Sequence, residues 1–386
     1  MKNDISDSII YVGVDDVDLE LFESQYPVPD GITYDSYIIL DDKVAIMDTV
    51  DSRKADIWLD KIKKILGERT PDYLVVSHVE PDHTGGIKHL CELYPQMKIV
   101  GNKKTFTFLS QFIDIKGIEE KEYLVKNEDI LSLGIHSLEF LTAPMVHWPE
   151  VMMSYEAHSK TLFSADGFGA FGTSPDRDWS IEARRYYHNI VGKYGGNVQA
   201  ILKKLVDKKI DFIAPLHGRV LTGDIDYYIS KYDLWSKYIP ESKNLLICHA
   251  SIHGNTTQVA KELKQILEDK GVKEISLFDL TRGDVSWAVD LAFYSSTIVL
   301  AASSYDSGVF IPMANLLQRL KEKKFQNRRV ALIENATWAP SAAKTMKEVL
   351  SEMKDITLLE PIVTILSRYK ESDKKALEEL ADVLKE

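Results

Sequence analysis

The chain has 386 residues, 45% of them hydrophobic and 10% aromatic, and a formal net charge of −12 from 47 basic and 59 acidic side chains. That length accommodates two domains at about 150 residues each, the apolar content excludes a disordered chain, and the acidic balance argues against a protein whose main partner is nucleic acid. The two cysteines, Cys91 and Cys248, form no CxxC pair; this excludes a fused rubredoxin, an iron–sulfur domain and a disulfide scaffold, and fits a reducing, cytoplasmic compartment. The acidic N-terminal segment has no apolar h-region, and no stretch approaches about 18 uninterrupted apolar residues, so neither a signal peptide nor a membrane span is expected.

In chain order, segments 36–40 and 44–47 read as two short strands around an Asp41-Asp42 turn. Segment 51–66 has helical spacing, with Ile57, Leu59, Ile62 and Ile65 as its apolar positions. Segment 73–76 reads as a buried strand, as do the apolar runs ending at Ala165 and Leu216. The polar, proline-containing segment 237–244 marks a boundary, dividing the chain into domains 1–242 and 243–386. Beyond it, strand-like runs at 245–250, 274–278, 297–302, 330–334 and 356–359 alternate with helix-like ones. Val259, Leu263, Ile266 and Leu267 fall on one helix face. This alternation predicts an α/β unit with a doubly wound parallel sheet, whose ligands sit beyond the carboxyl ends of the strands.

Chemistry-bearing residues cluster where strands give way to loops. His78, Glu80, Asp82 and His83 lie within six residues, and Pro81 with Gly85-Gly86 is expected to force a loop that folds these side chains around a point. His147, Asp166 and His217 follow other strands and are expected to reach the same pocket. His89, His136, His158 and His188 read as surface or core residues. Seven ligands exceed one tetrahedral zinc, so two metals are the natural count. Three carboxylates with four imidazoles and no thiolate suit iron or manganese.

In the second half, Ser251, Ile252, His253, Gly254, Asn255 and Thr256 form a hydroxyl-rich strand-to-helix turn without lysine. Such a turn suits a monophosphate at a helix N-terminus; the plainer reading is an N-cap by Asn255 or Thr256. Two more loops follow strands: Ser303, Ser304, Tyr305, Asp306 and Gly308, then Asn335, Thr337 and Trp338. Each carries an aromatic able to stack on a flat ring.

The set His78-x-Glu80-x-Asp82-His83, His147, Asp166 and His217 resembles the metal set of the flavodiiron proteins, as does the triplet His147-Trp148-Pro149. In zinc hydrolases of the same metallo-β-lactamase fold the second motif position is normally His; Glu80 stands there here. The resemblance covers the chain from about Gly31 onward. It implies an N-terminal αββα metallo-β-lactamase-like domain and a C-terminal flavodoxin-like domain. His78, Glu80 and His147 would hold one iron, Asp82, His83 and His217 the other, and Asp166 would bridge. Trp148 would either shield the open face of this diiron centre or pack in the core, and Asp48 would be a buried structural aspartate. The three second-half loops resemble the FMN loops of flavodoxin.

The implied reaction is reduction of O2 to water, of NO to N2O, or both. An external donor would supply electrons, rubredoxin or a reduced deazaflavin, and the assembly would be a head-to-tail homodimer or dimer of dimers. Two departures stand out: only 50 residues separate Asp166 from His217, with the shortening near 172–178, and Ala339-Pro340 replaces a more glycine-rich segment. The competing reading is a metal-dependent hydrolase of this fold carrying a flavodoxin-like module.

Overall fold

Strand Tyr37–Ile39 shows how the N-terminal unit is layered. Its alternate side chains serve two cores: Ile38 joins Ile46, Leu74 and Ile99 beneath the helices, whereas Tyr37 and Ile39 join Met47, Val75, Phe140 and Phe163 between two sheets. The computed structural model describes residues 4–174 and 177–385. It divides into two compact units, Met1–Ser236 and Lys237–Glu386.

The N-terminal unit stacks two six-stranded sheets with helices on their outer faces. In the first sheet, strands Ala45–Met47, Tyr73–Val75 and Lys98–Gly101 run parallel. In the second, Thr161–Phe163 and Phe212–Ala214 are parallel neighbours, so Asp166 and His217 leave adjacent carboxyl ends. Helix Ala55–Leu66 buries Trp58, Leu59, Ile62 and Leu66. Ile57, expected on that face, is exposed: register is set by the wide Trp58 side chain, which lies one position on.

The C-terminal unit is a parallel sheet with strand order Ile275–Asp279, Ser242–Ala250, Ser295–Tyr305, Arg328–Ala336, Ile356–Leu358, the doubly wound order of flavodoxin-like folds. Leu246, Cys248 and Ala250 face one helix layer, and Leu245 and Ile247 the other. The strand expected at 356–359 is divided. Ile356–Leu358 pairs with the first part of Arg328–Ala336, and Val363–Leu366, absent from the sequence reading, pairs with its end. Among the described residues, no helix is long and apolar enough to cross a membrane.

Candidate functional site

Segment Pro81–Thr84 is a single helical turn rather than the expected loop. Proline at the first helical position fixes φ and lacks only an N–H that would be unpaired there, so it starts the turn instead of preventing it. The turn docks against 49–58: Thr49 donates its hydroxyl to the His83 carbonyl at 2.7 Å, and a Cβ on Gly85 would lie 2.2 Å from the Ser52 nitrogen. Gly85 is therefore a close-approach position. Buried Asp48 accepts from the Ser77 N–H at 2.6 Å and anchors the strand end just before His78; burial pushes its carboxyl up to about 6.

The seven predicted donors gather into two adjoining groups, His78–Glu80–His147–Asp166 and Asp82–His83–His217. Asp166 faces both. Its Oδ2 lies 3.0 Å from Nε2 of His147 and 3.4 Å from Nε2 of His78; its Oδ1 lies 3.2 Å from Nε2 of His83 and 3.8 Å from that of His217. Glu80 is 3.2 Å from both His78 and His147, and Asp82 is 3.5 Å from His83 and 3.3 Å from His217. A metal with bonds of about 2.0–2.2 Å holds neighbouring donors about 3.0–3.6 Å apart. Both oxygens of Asp82, Oδ1 of Asp166 and Nε2 of His83 and His217 are buried without a hydrogen-bond partner. A buried donor set of this spacing, with its lone pairs unspent, fits two cations.

Partners behind the donors fix their orientation. His78 Nδ1 meets Glu150 at 2.7 Å, and His217 Nδ1 meets the Thr33 carbonyl at 2.6 Å, leaving both Nε2 atoms facing inward. Glu150 also accepts from the Val79 N–H, at 3.1 Å. Neither Glu150 nor Thr33 was singled out from the sequence; the only cue is that Glu150 follows the His147-Trp148-Pro149 triplet. Burial opposes charge on His78, but the carboxylates of Asp166, Glu150 and Glu80 outweigh it and hold the imidazole well above its usual range. Burial would likewise raise Asp166, yet His78 and His83 keep it well below the carboxylate range. Such a field favours cations. Phe22 lies edge-on to His217 at 5.2 Å. Trp148, half-buried, stands edge-on to His78 at 5.2 Å and packs on Phe112, but does not line the cavity that opens over Glu80 and Asp82.

At the carboxyl end of the second unit's sheet lies a cleft of about 590 Å³, inside the range of about 300–1,000 Å³ common for small-molecule sites. Ser251, Ile252, His253, Asn255, Ser303, Ser304, Tyr305, Asp306, Asn335, Thr337 and Trp338 line it. Gly254, Thr256 and Gly308 do not. Thr256 is turned inward, its hydroxyl 3.0 Å from that of Ser303. Gly308 offers its carbonyl to Ser341 at 2.8 Å. Ser341, at the end of the loop that begins with Asn335, also lines the cleft, as does Ser367, which had no signal in the sequence. Gly254 has φ +89°, and a Cβ there would meet nothing within 4 Å, so its backbone is strained for any other residue while the space in front stays open. Ser251 Oγ accepts from the N–H groups of Gly254 and Thr256 at 3.0 and 3.2 Å, holding the turn, and helix Asn255–Asp269 starts there without a side-chain cap. An open, glycine-shaped cradle at an uncapped helix start fits a phosphate. Trp338 is 80% exposed and Tyr305 43%, so both are free to meet a ring. Of the shortened segment 172–178, Pro175 and Asp176 lie outside the described residues.

Comparison with known proteins agrees with this geometry. Residues 32–218 match the family described as ODP family beta lactamase. The chain is 28% identical to a nitric oxide reductase of Moorella thermoacetica, over 94% of this chain and 92% of that one. It is 26% identical to a flavo-diiron protein of Clostridium acetobutylicum, over 91% and 90%. A putative diflavin flavoprotein of Synechocystis is 28% identical over 74% of this chain but 50% of its own, so the chain spans about half the length of such relatives. Among solved structures, rubredoxin oxygen:oxidoreductase of Desulfovibrio gigas superposes with a TM-score of 0.91 at 24% identity, covering 100% of this chain and 99% of that one. The flavodiiron protein of Giardia intestinalis gives 0.90 at 22%, covering 100% and 96%. The architecture is thus a metallo-β-lactamase-fold module followed by a flavodoxin-like one. Over nearly its whole length the chain is similar to flavodiiron proteins.

Proposed function

We propose that this chain is a flavodiiron oxidoreductase that reduces O2 to water, NO to N2O, or both. The observation that carries this reading is the placement of Asp166, with one carboxylate oxygen toward His78 and His147 and the other toward His83 and His217. We assign His78, Glu80 and His147 to one iron, Asp82, His83 and His217 to the other, and Asp166 to both; domain 1–242 holds the irons and domain 243–386 the FMN. When bound, the irons supply open coordination positions and one-electron chemistry, and FMN supplies a two-electron store.

The chain's own residues do the rest. Glu150 and the Thr33 carbonyl hold His78 and His217 with Nε2 inward, so the centre is formed before a ligand arrives. Phe22 and Tyr186 wall off His217 from water. The uncapped start of Asn255–Asp269 orients the FMN phosphate, and Tyr305 and Trp338 are placed to meet the flavin ring.

The chain has no rubredoxin cysteines, and its GxGxxG string, Gly167 to Gly172, follows Asp166 in the metal-binding half rather than opening a nucleotide-binding strand–helix unit; we take the electrons to come from outside, with rubredoxin the favoured donor and a reduced deazaflavin the second. The family's head-to-tail homodimer, or a dimer of dimers, and a cytoplasmic location complete the reading. The names of the Moorella thermoacetica and Desulfovibrio gigas proteins support NO and O2 as substrates.

The test is metal and flavin content per chain on protein produced with iron supplied, followed by anaerobic NO and O2 consumption assays. About two irons and one FMN, with consumption of either gas, is the expected result. Zinc without flavin overturns it in favour of a hydrolase.

A further inference from the structure

Helix Ile225–Ser236 carries Tyr228, Tyr232 and Trp235 at i, i+4 and i+7, which places three oxidisable rings on one face. That face meets Trp179, the first residue of helix Trp179–Tyr186. Trp179 lies edge-on to Tyr228 at 4.9 Å and stacks on Trp235 at 5.8 Å, with 24° between the ring planes. Trp235 continues to Tyr232 at 5.5 Å, and Tyr232 stacks on Phe168 at 4.1 Å. Trp179, Trp235 and Tyr232 are buried and Tyr228 is half-buried, so the row of rings runs from the interior to the surface of its unit.

The inner end of this row is tied to the metal-binding segment. The Trp179 indole N–H donates to the Phe168 carbonyl at 3.0 Å. The next amide, the N–H of Gly169, donates to the Asp166 carbonyl at 3.1 Å. Two hydrogen bonds across one peptide group therefore join Trp179 to Asp166, whose carboxylate faces both donor groups. Packing alone requires rings of this size but not rings that give up an electron; Phe168 excepted, every ring in the row can do so. Rings nearer the donors lack such a continuation. Beyond the histidines, Trp148 packs among the described residues on Phe112, which resists oxidation. The Tyr186 hydroxyl, buried beside His217, has no hydrogen-bond partner to take its proton. Tyr34 takes a hydrogen bond from Arg53, whose positive charge opposes removal of an electron.

Reduction of O2 to water takes four electrons, two from the irons and two from FMN. A centre that meets O2 before the flavin is reloaded is left short of electrons and oxidising. We propose, resting on the diiron reading, that Trp179 is an electron-relay residue: with Tyr228 it passes one electron from the surface to the metal centre when electrons from FMN run short. The metal centre gains the electron that the Trp179 indole loses. The indole N–H stays on the Phe168 carbonyl, which is too weak a base to take the proton, so the oxidised ring is a radical cation. Stacked indoles share a positive charge, and Trp235 thereby eases this step. Tyr228 returns an electron to Trp179 and releases its phenol proton to water. The external one-electron donor, rubredoxin in the reading above, then restores Tyr228 with one electron and one proton from water.

The test uses the iron-loaded, FMN-containing full chain, reduced by two electron equivalents per chain, mixed with O2 and frozen at intervals for electron paramagnetic resonance. Deuterated tryptophan or tyrosine identifies the ring that carries each signal. Wild type should show a tryptophan radical followed by a tyrosine radical. Trp179→Phe should lose both. Tyr228→Phe, which keeps its ring and is half-buried, should retain the tryptophan signal and lose the tyrosine one; it carries the test if the first variant folds poorly. With donor in excess, NO reduction in both variants should change less than about twofold, because neither residue touches substrate or metal donors. A tryptophan signal that persists in Trp179→Phe overturns the proposal, since the electron then leaves another indole. Unchanged signals in Tyr228→Phe overturn it as well. Iron and FMN content are read on the same samples. Wild type without iron overturns the underlying diiron reading; iron-loaded wild type that forms no radical overturns this inference alone.

Discussion

In the proposed metal centre the candidate donors are side chains, buried and fixed from behind by Glu150, Thr33 and Asp48. In the cleft of the second unit the polar side chains are largely spent on joining loops. Ser304 Oγ accepts from the N–H groups of Ser341 and Ala342, Asn335 donates to the Ser367 carbonyl, and Thr337 meets the Ser367 hydroxyl. What the cleft offers a ligand is mainly backbone and the start of a helix. A site of side chains stands or falls with single residues, because each donor is irreplaceable and its orientation depends on one partner. A site of loop backbone depends on conformation and tolerates most side-chain changes.

That contrast can be broken most sharply at Asp166. Asp166→Ala should remove the shared donor, reducing iron from about two per chain to one or none and abolishing gas consumption, while FMN content stays at the wild-type level; elemental analysis and flavin extraction on one sample read both. Glu150→Ala should weaken metal binding about 10–100-fold by freeing the His78 ring, again without touching FMN, as a chelator-competition titration would reveal. A loss of FMN in either variant would mean the two sites are not independent. Gly254→Ala should act in the opposite sense. Alanine at φ +89° costs about 1 kcal/mol or more, so FMN should bind about five- to tenfold more weakly in a fluorescence titration with iron content unchanged.

A subtler effect concerns Asp35, wholly buried, which takes a 2.8 Å hydrogen bond from Tyr11 while its second oxygen has no partner. Burial raises this carboxyl well above its usual range, and the Tyr11 bond offsets that only in part. The folded state therefore holds a proton that the unfolded chain releases above about pH 4. Its stabilising effect is complete below that pH and fades by up to about 1.4 kcal/mol per unit as pH rises toward the folded value. Asparagine cannot ionise, so the melting temperature of Asp35→Asn relative to wild type should climb between pH 5 and pH 7.5; a flat difference would contradict the assignment. Smallest of all, Ile57→Lys on the exposed side of Ala55–Leu66 should change stability by no more than about 0.5 kcal/mol in urea unfolding.

The same contrast governs how much could be read without coordinates. His78 to His83 were legible because ligand-type residues at tight spacing are rare by chance, and His147, Asp166 and His217 because each sits where an apolar run ends. Glu150 was not legible: a carboxylate that orients a ligand makes no pattern of its own. In the second unit the alternation of strands and helices revealed the topology, and with it the loops at the strand ends. It could not tell that Thr256 points inward or that Ser367 faces the cleft, since side-chain direction in a loop follows backbone dihedrals that composition does not encode. Segment 81–84 was misjudged because proline was read as a helix breaker, though at the first position it is a helix starter. Of the 57–65 face only Ile57 was misplaced, because the periodicity passed over Trp58, the largest apolar side chain in that turn; Leu59 and Ile62 are buried and Ile65 packs against the core.

The divided outermost strand of the C-terminal unit's sheet has a consequence for how the chain behaves in a crowded solution. A sheet edge with a long unbroken row of free N–H and C=O groups invites strands from other molecules. Here the edge is made of two pieces, Ile356–Leu358 and Val363–Leu366, separated by a segment carrying Pro361. Neither piece is long enough to template a foreign strand. The same interruption restarts the edge beside the last residues of Arg328–Ala336, and so carries Ser367 to the rim of the cleft. One irregularity thus guards against unwanted association and supplies a wall of the ligand site.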